Sequence, residues 1–326
     1  MANVLIMKFR ILHITCLLLI SIAVNAQGFY KSLEKIESFN QIEYPYPVQY
    51  QSLSKNISIG YMDEGKADET IIFIHGLGSY AKAWMKNIEE LKENYRCIAI
   101  DLPGYGRSSK GDYPGSMTFF ADIVKEFADS LGIEKAVLAG HSMGGQISII
   151  TSLKYPERVK RLVLVAPAGI ETFTEGEKDW FRDAISAKGV MLTPLESIES
   201  NLGHNFYKMP RDAYFMISDR YAMTGAGEEF YWYCNIIPKC VQGMVNEPVF
   251  KDLTKISQPT LIIMGKADAL IPNRYINGGF PEDIAKLGAQ MIPNSEAVII
   301  PKAGHFVTFE KAPEVNAEIQ RFLSVD

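Results

Sequence analysis

A serine held between glycines at residues 140–144, Gly140-His141-Ser142-Met143-Gly144, constrains this chain more than any other feature. It directly follows the apolar run 136–139 and opens the helical pattern of residues 143–153. A strand that turns at once into a helix leaves no room for flanking side chains. Hence Gly140 and Gly144, with Gly145 easing the helix against its neighbours. The turn presents the Ser142 hydroxyl at its tip, at a helix N-terminus whose N–H groups face any negative charge that develops there. The bland alternative is an ordinary turn with a serine cap. The strand before and the helix after argue against it.

The rest of the chain supplies the matching frame. Residues 56–62 alternate like a half-buried strand, whereas 70–74 and 96–100 are continuous β-branched or apolar runs of the kind buried on both faces. Helical spacing over 83–94, 116–131 and 143–153 separates these runs from strands at 136–139 and 159–165. Strands alternating with helices of this length imply crossovers, hence an α/β fold with a mostly parallel central sheet and helices on both faces. The rhythm then stops. Residues 168–256 show no strand pattern and many large rings, including Trp180-Phe181, Phe206-Tyr207, Tyr214-Phe215 and Phe230-Tyr231-Trp232-Tyr233. Strands resume at 260–264 and 297–300, and a last helix spans 313–323. A structureless loop of that length is foreign to a compact domain. Residues 168–256 therefore read as an inserted helical cap or lid on a core built from 27–167 and 257–326.

Lys8 and Arg10 precede an apolar run, 11–24, that ends in Val24-Asn25-Ala26. The run is shorter than the roughly 20 residues of a membrane span. Residues 1–26 are read as a secretory signal cleaved after Ala26, predicting a periplasmic or secreted protein, with an uncleaved anchor as the alternative. Cys16 lies inside the run rather than at its end, which argues against lipidation. Cleavage takes 33 basic residues to 31 against 38 acidic ones, net −7, and no Lys/Arg cluster stands out. No nucleic-acid partner is expected. No residues have metal-ligand spacing and no glycine run has a phosphate-loop pattern, so neither metal nor cofactor is implied. Cys97 reads as a buried strand residue. Cys234 and Cys240 have five residues between them, and either a disulfide or two free thiols fits that spacing. Oligomeric state is left open.

A serine hydroxyl is a weak nucleophile at neutral pH and needs a base within hydrogen-bond reach. Of five histidines, His13 leaves with the signal, His141 is the variable position of the turn and His204 lies in the insertion. His75 follows a buried strand and reads as loop support together with Gly76. His305, in Ala303-Gly304-His305-Phe306, follows the last strand on a small-residue loop, where catalytic groups gather in open α/β sheets. It is the candidate base. Asp268, just after the strand at 260–264, would orient it and stabilise the imidazolium formed during attack. Glu310 is the competing acid and reads as loop packing, and Asp101 reads as turn structure. The oxyanion of acyl transfer needs donors, and the N–H groups of Met143 and Leu77 are the candidates.

His75-Gly76-Leu77-Gly78, Asp101-Leu102-Pro103-Gly104-Tyr105-Gly106-Arg107-Ser108, the serine turn, Gly265-Lys266-Ala267-Asp268 and Gly304-His305 together resemble the α/β-hydrolase superfamily, from about residue 57 to the C-terminus except over the cap. The resemblance is closest to capped carboxylesterases and lipase-like members. Epoxide hydrolases and haloalkane dehalogenases carry Asp where this chain has Ser142. The aminopeptidases show a longer loop after His-Gly. The resemblance implies two-step acyl transfer from a small-molecule ester. Carbon–carbon or amide cleavage on the same triad is the rival, and a non-catalytic binding protein is the rival of another class. The apolar cap, with Met191, Met209, Met216, Met223 and Met244 beside its rings, predicts uncharged short- to medium-chain acyl groups and no counter-ion for a charged one.

Overall fold

The computed structural model describes residues 33–325, so the expected secretory signal over 1–26, with Cys16 and His13, lies outside the described residues. Eight strands form one sheet: β1 (Gln49–Ser52), β2 (Ser58–Glu64), β3 (Thr70–Ile74), β4 (Arg96–Ile100), β5 (Ala136–His141), β6 (Val159–Val165), β7 (Thr260–Gly265) and β8 (Ser295–Ile300). Their order is β1-β2-β4-β3-β5-β6-β7-β8. β1 and β2 run antiparallel at one edge, and every pair from β4 to β8 is parallel.

Strands β3, β5 and β7 are buried at every residue, which is why they read as continuous apolar runs rather than alternating ones. Successive side chains still point to opposite faces. Ile72, Leu138, Leu164 and Ile262 join the core on one side, and Ile71, Phe73, Val137, Val163 and Ile263 join that on the other. The Met117–Ser130 and Met143–Lys154 helices close the first face, with buried Phe120, Phe127 and Ile147. Met85–Leu91 and Ala312–Leu323 close the second through Ile88, Leu91, Val315 and Ile319. From β3 the chain steps to β4 on one side, and β5 lies on the other. Ligands bind at the carboxyl ends of strands at such a reversal, and Gly76 and Ser142 lie there.

Two elements lie outside the sequence pattern. β1 is a four-residue edge strand with little burial, too short and polar to announce itself. The Pro281–Met291 helix is the crossover between β7 and β8. Between β6 and β7 the chain forms five α-helices: Glu175–Ala184, Ala187–Met191, Leu195–Gly203, Phe215–Met223 and Gly227–Asn246. Cys234 and Cys240 both lie on the last of these and are free. Six helical steps set them about 9 Å apart along the axis, beyond disulfide reach. Tyr105 donates its hydroxyl to Cys240 Sγ at 3.2 Å. Burial pushes the Cys97 and Cys240 thiols up to about 12 and that of Cys234 to about 11. Among the described residues no helix is long and apolar enough to cross a membrane.

Candidate active site

The serine turn is packed to the limit. A Cβ on Gly140 would lie 2.2 Å from Gly144 O, and one on Gly144 would lie 2.2 Å from Ile74 O. On Gly145 it would meet the Pro167 ring at 2.7 Å. Ser142 itself sits at φ 54°, ψ −117°, a conformation that costs a non-glycine residue about 1–3 kcal/mol and persists only where the surroundings enforce it. They do so through the backbone. Ser142 N–H donates to Val165 O at 2.9 Å, and Ser142 O accepts from Gly145 and Ala168 N–H at 2.9 and 3.0 Å.

His305 Nδ1 donates to Asp268 Oδ2 at 2.8 Å, and both side chains are almost wholly buried. The other carboxylate oxygen, Oδ1, accepts from Leu270 and Ile271 N–H at 2.8 and 3.1 Å. Burial pushes the Asp268 carboxyl up. The His305 ring and the two N–H donors outweigh it and hold the group below its ordinary value. The two loops touch so closely that a Cβ on Gly265 would lie 2.2 Å from Gly304 O. Glu310 is engaged elsewhere. It accepts from Gly304, Tyr207 and Lys208 N–H at 2.8, 2.9 and 2.6 Å. It thereby ties the insertion to the His305 loop. Asp101 is buried loop structure, taking Tyr44 Oη, Ala81 N–H and Arg107 N–H at 2.6–2.7 Å.

Residues 76–79 form a β-turn closed by Ser79 N–H on Gly76 O at 3.2 Å. Gly78 has φ +69°, as the third residue of a type II turn requires. His75 sets the orientation of the turn. Leu102 N–H donates to its Nε2 at 3.1 Å, so the proton is on Nδ1, which donates to Gly76 O at 2.8 Å. In a trans peptide the C=O and the next N–H point opposite ways, so anchoring Gly76 O aims Leu77 N–H away from His75. Among the described residues neither Leu77 N–H nor Met143 N–H has a protein acceptor. A Cβ on Gly76 would lie 3.1 Å from Ser142 Cβ, so this turn abuts the serine.

His141 has a part the sequence pattern did not signal. Its Nε2 donates to His305 O at 2.9 Å, and its ring packs on His305 and Phe306. Burial and the neighbouring His305 push it down to about 3, so it is a neutral donor that fixes the backbone of the candidate base. His204 is exposed, and its Nδ1 bonds to Ser200 O in the preceding helix turn.

Ser142, His305, Gly76 and Leu77 line a cavity of about 560 Å³. Its outer wall comes from the insertion and its flanks, with Phe173, Phe181, Val241, Met244 and Val245. Of the expected rings and thioethers only Phe181 and Met244 reach it. Trp180, Tyr207, Tyr214 and Tyr231 are exposed, while Phe230 and Tyr233 serve the core. The expectation that a charged acyl group finds no counter-ion meets a wall that also carries Glu171, Lys178, Lys251 and Asp252. Asn273 N–H and Asn277 Nδ2 both donate to Glu171 Oε1, so the loop after β7 carries this carboxylate. Among the described residues no three His, Cys, Asp or Glu side chains converge as a metal site.

Residues 69–312 match the family model described as alpha/beta hydrolase fold. The chain is 30% identical over 294 residues to the 2-hydroxy-6-oxononadienedioate/2-hydroxy-6-oxononatrienedioate hydrolase of Escherichia coli K12, covering 84% of this chain and 93% of that protein. It is 28% identical over 277 residues to the dihydrolipoyllysine-residue acetyltransferase component of the acetoin cleaving system of Cupriavidus necator, covering 82% of this chain. It spans 67% of that protein's length and 64% of the Pseudomonas putida counterpart's. The crystal structure of a probable hydrolytic enzyme from Pseudomonas aeruginosa PAO1 aligns with a TM-score of 0.77 at 25% identity, over 90% of this chain and 100% of that one.

Proposed function

The chain belongs to the alpha/beta hydrolase family, and from that premise we propose that it hydrolyses carboxylic esters through a Ser142-His305-Asp268 triad. The pairing of His305 with Asp268 at 2.8 Å, on the cavity that Ser142 lines, carries this reading. Asp268 fixes the His305 tautomer with its proton on Nδ1, which leaves Nε2 free to take the Ser142 proton. Ser142 Oγ attacks the ester carbonyl, and the oxyanion is held by the N–H groups of Leu77 and Met143. His305 gives its proton to the departing alcohol. It next takes a proton from water, whose oxygen attacks the acyl carbonyl, and returns that proton to Ser142 Oγ as the Oγ–acyl bond breaks and the acid leaves.

Residues 168–256 act as a cap whose inner wall sets the acyl preference. Each buried methylene contributes about 0.8 kcal/mol, so kcat/KM rises several-fold per carbon from acetate until the cavity is full. Nitrophenyl esters of graded length measure this. A flat profile removes the apolar-pocket reading, and failure of a fluorophosphonate to label Ser142 removes the enzyme. Cleavage of a carbon–carbon bond beside a carboxylate is the second reading. Lys178 and Lys251 on the cavity wall favour it, as does the 30% identical Escherichia coli hydrolase. A vinylogous diketone acid tested beside the esters separates the two. Export with cleavage after Ala26 is checked by N-terminal sequencing of the native protein, which should begin at Gln27.

A further inference from the structure

The turn that presents Leu77 N–H is held from both sides of the molecule. His75, from the core, fixes Gly76 O. Gly78 O, two residues on, is held from the insertion. Arg220 Nη2 donates to it at 3.1 Å and Tyr233 Oη at 3.2 Å. Arg220 lies over the Tyr233 ring, 4.5 Å from its centroid, so the two donors brace each other. The same helix turn also sends Asp219 to the segment after Gly78. Asp219 Oδ2 accepts from Tyr80 Oη at 2.6 Å and from Lys82 Nζ at 3.0 Å. Tyr233 is buried, and its ring packs edge-on against Tyr105, which in turn packs on His75.

We propose that Arg220 and Tyr233 are positioning residues for the oxyanion site, so that the insertion aims a catalytic donor as well as shaping the cavity. The proposal rests on the ester-hydrolase reading, in which Leu77 N–H receives the developing charge. With φ +69° at Gly78, the turn has a glycine hinge that local sterics do little to restrain. The two donors on Gly78 O supply the restraint. Neither touches the ester, so losing them alters the aim of Leu77 N–H rather than the affinity for substrate.

The test compares Arg220→Leu, Arg220→Lys and Tyr233→Phe on a nitrophenyl ester, with KM, kcat, the rate constant for fluorophosphonate labelling of Ser142 and the melting temperature read together. Removing an oxyanion donor outright costs about 10²–10³-fold in kcat, and misaiming one costs less. Arg220→Leu is expected to lower kcat about 10- to 50-fold and Tyr233→Phe about 3- to 10-fold on that scale. KM should stay within twofold, and labelling should slow in step with kcat. Arg220→Lys, which keeps one donor, should recover part of the loss. Tyr233→Phe keeps the ring and its packing, so it tests the proposal even where Arg220→Leu fails to fold. The proposal is overturned if kcat in Tyr233→Phe and Arg220→Lys stays within twofold of wild type, or if KM rises while kcat holds. Ester turnover that survives Ser142→Ala would instead remove the underlying reading, whatever these variants do.

Discussion

The two sides of the cavity are built on opposite terms. On the sheet side the backbone leaves no choice: Gly140, Gly144 and Gly265 each face a carbonyl oxygen 2.2 Å from where a Cβ would sit. On the other side, the Glu175–Ala184 and Ala187–Met191 helices bury no residue fully, and Gly176 and Gly203 have open space around them. Chemistry that tolerates errors of about half an ångström is placed where strand ends over-determine the chain. In the proposed reading, selection of the substrate is left to helices that can change without disturbing Ser142, His305 and Asp268.

This contrast can be broken at several points. Ser142→Ala should lower ester turnover by several orders of magnitude, because the triad acts as one unit, with circular dichroism unchanged. Retention of a tenth of the activity would move the chemistry elsewhere. Asp268→Asn should cost about a thousandfold or more, since the base loses its tautomer and its counter-charge. Glu310→Gln keeps an acceptor and should leave kcat within a few-fold. Its cost belongs in stability, about 1 kcal/mol for three weakened contacts that are exposed or only part-buried, read by urea unfolding. If the two variants exchange behaviours, the acid has been misassigned.

Gly144→Ala should abolish the soluble native fold or cost several kcal/mol, as a forced backbone clash does. Gly176→Ala should stabilise by a few tenths to about 1 kcal/mol, the helix propensity difference. Equal effects at the two glycines would erase the difference between the regions.

Acid separates them too. His141 stays neutral in the folded protein down to about pH 3 but takes a proton near 6.5 when unfolded. A depressed value means that the unfolded chain binds more protons in this window. Stability therefore falls as pH drops from 6.5 toward 3, by at most about 1.4 kcal/mol per unit. His141→Gln, which keeps a donor for His305 O but does not titrate, should flatten that slope. Asp268, by contrast, is held below its ordinary value and stays ionised below the usual carboxylate range.

Much of this was legible in residue order. The strands β3 to β8 sit within a few residues of their apolar runs. Ser142, Asp268 and His305 converge because each follows a strand end of one sheet. What escaped depends on contacts between distant segments. Nothing around Glu310 announces three backbone donors, two of which come from the insertion. His141 looked like a spacer because its partner is 164 residues away. Lys178 gave no signal because a helix with no buried face does not show which side meets the cavity, and Glu171 gave none because its partners Asn273 and Asn277 lie 102 and 106 residues away. β1 failed for a simpler reason, since four mostly exposed residues carry no hydrophobic period.

The thiol at Cys240 offers a clock. It lies under the Tyr105 hydroxyl on the longest helix of the insertion. With its ionisation pushed up to about 12, the thiolate that alkylating reagents attack is scarce at neutral pH while that helix is docked. Each modification event therefore times an opening of the helix away from Tyr105, on a timescale of local unfolding. Adding a substrate analogue that bridges Ser142 and the helix at Met244 should slow that clock, and the slowing measures how firmly an occupied cavity holds its roof.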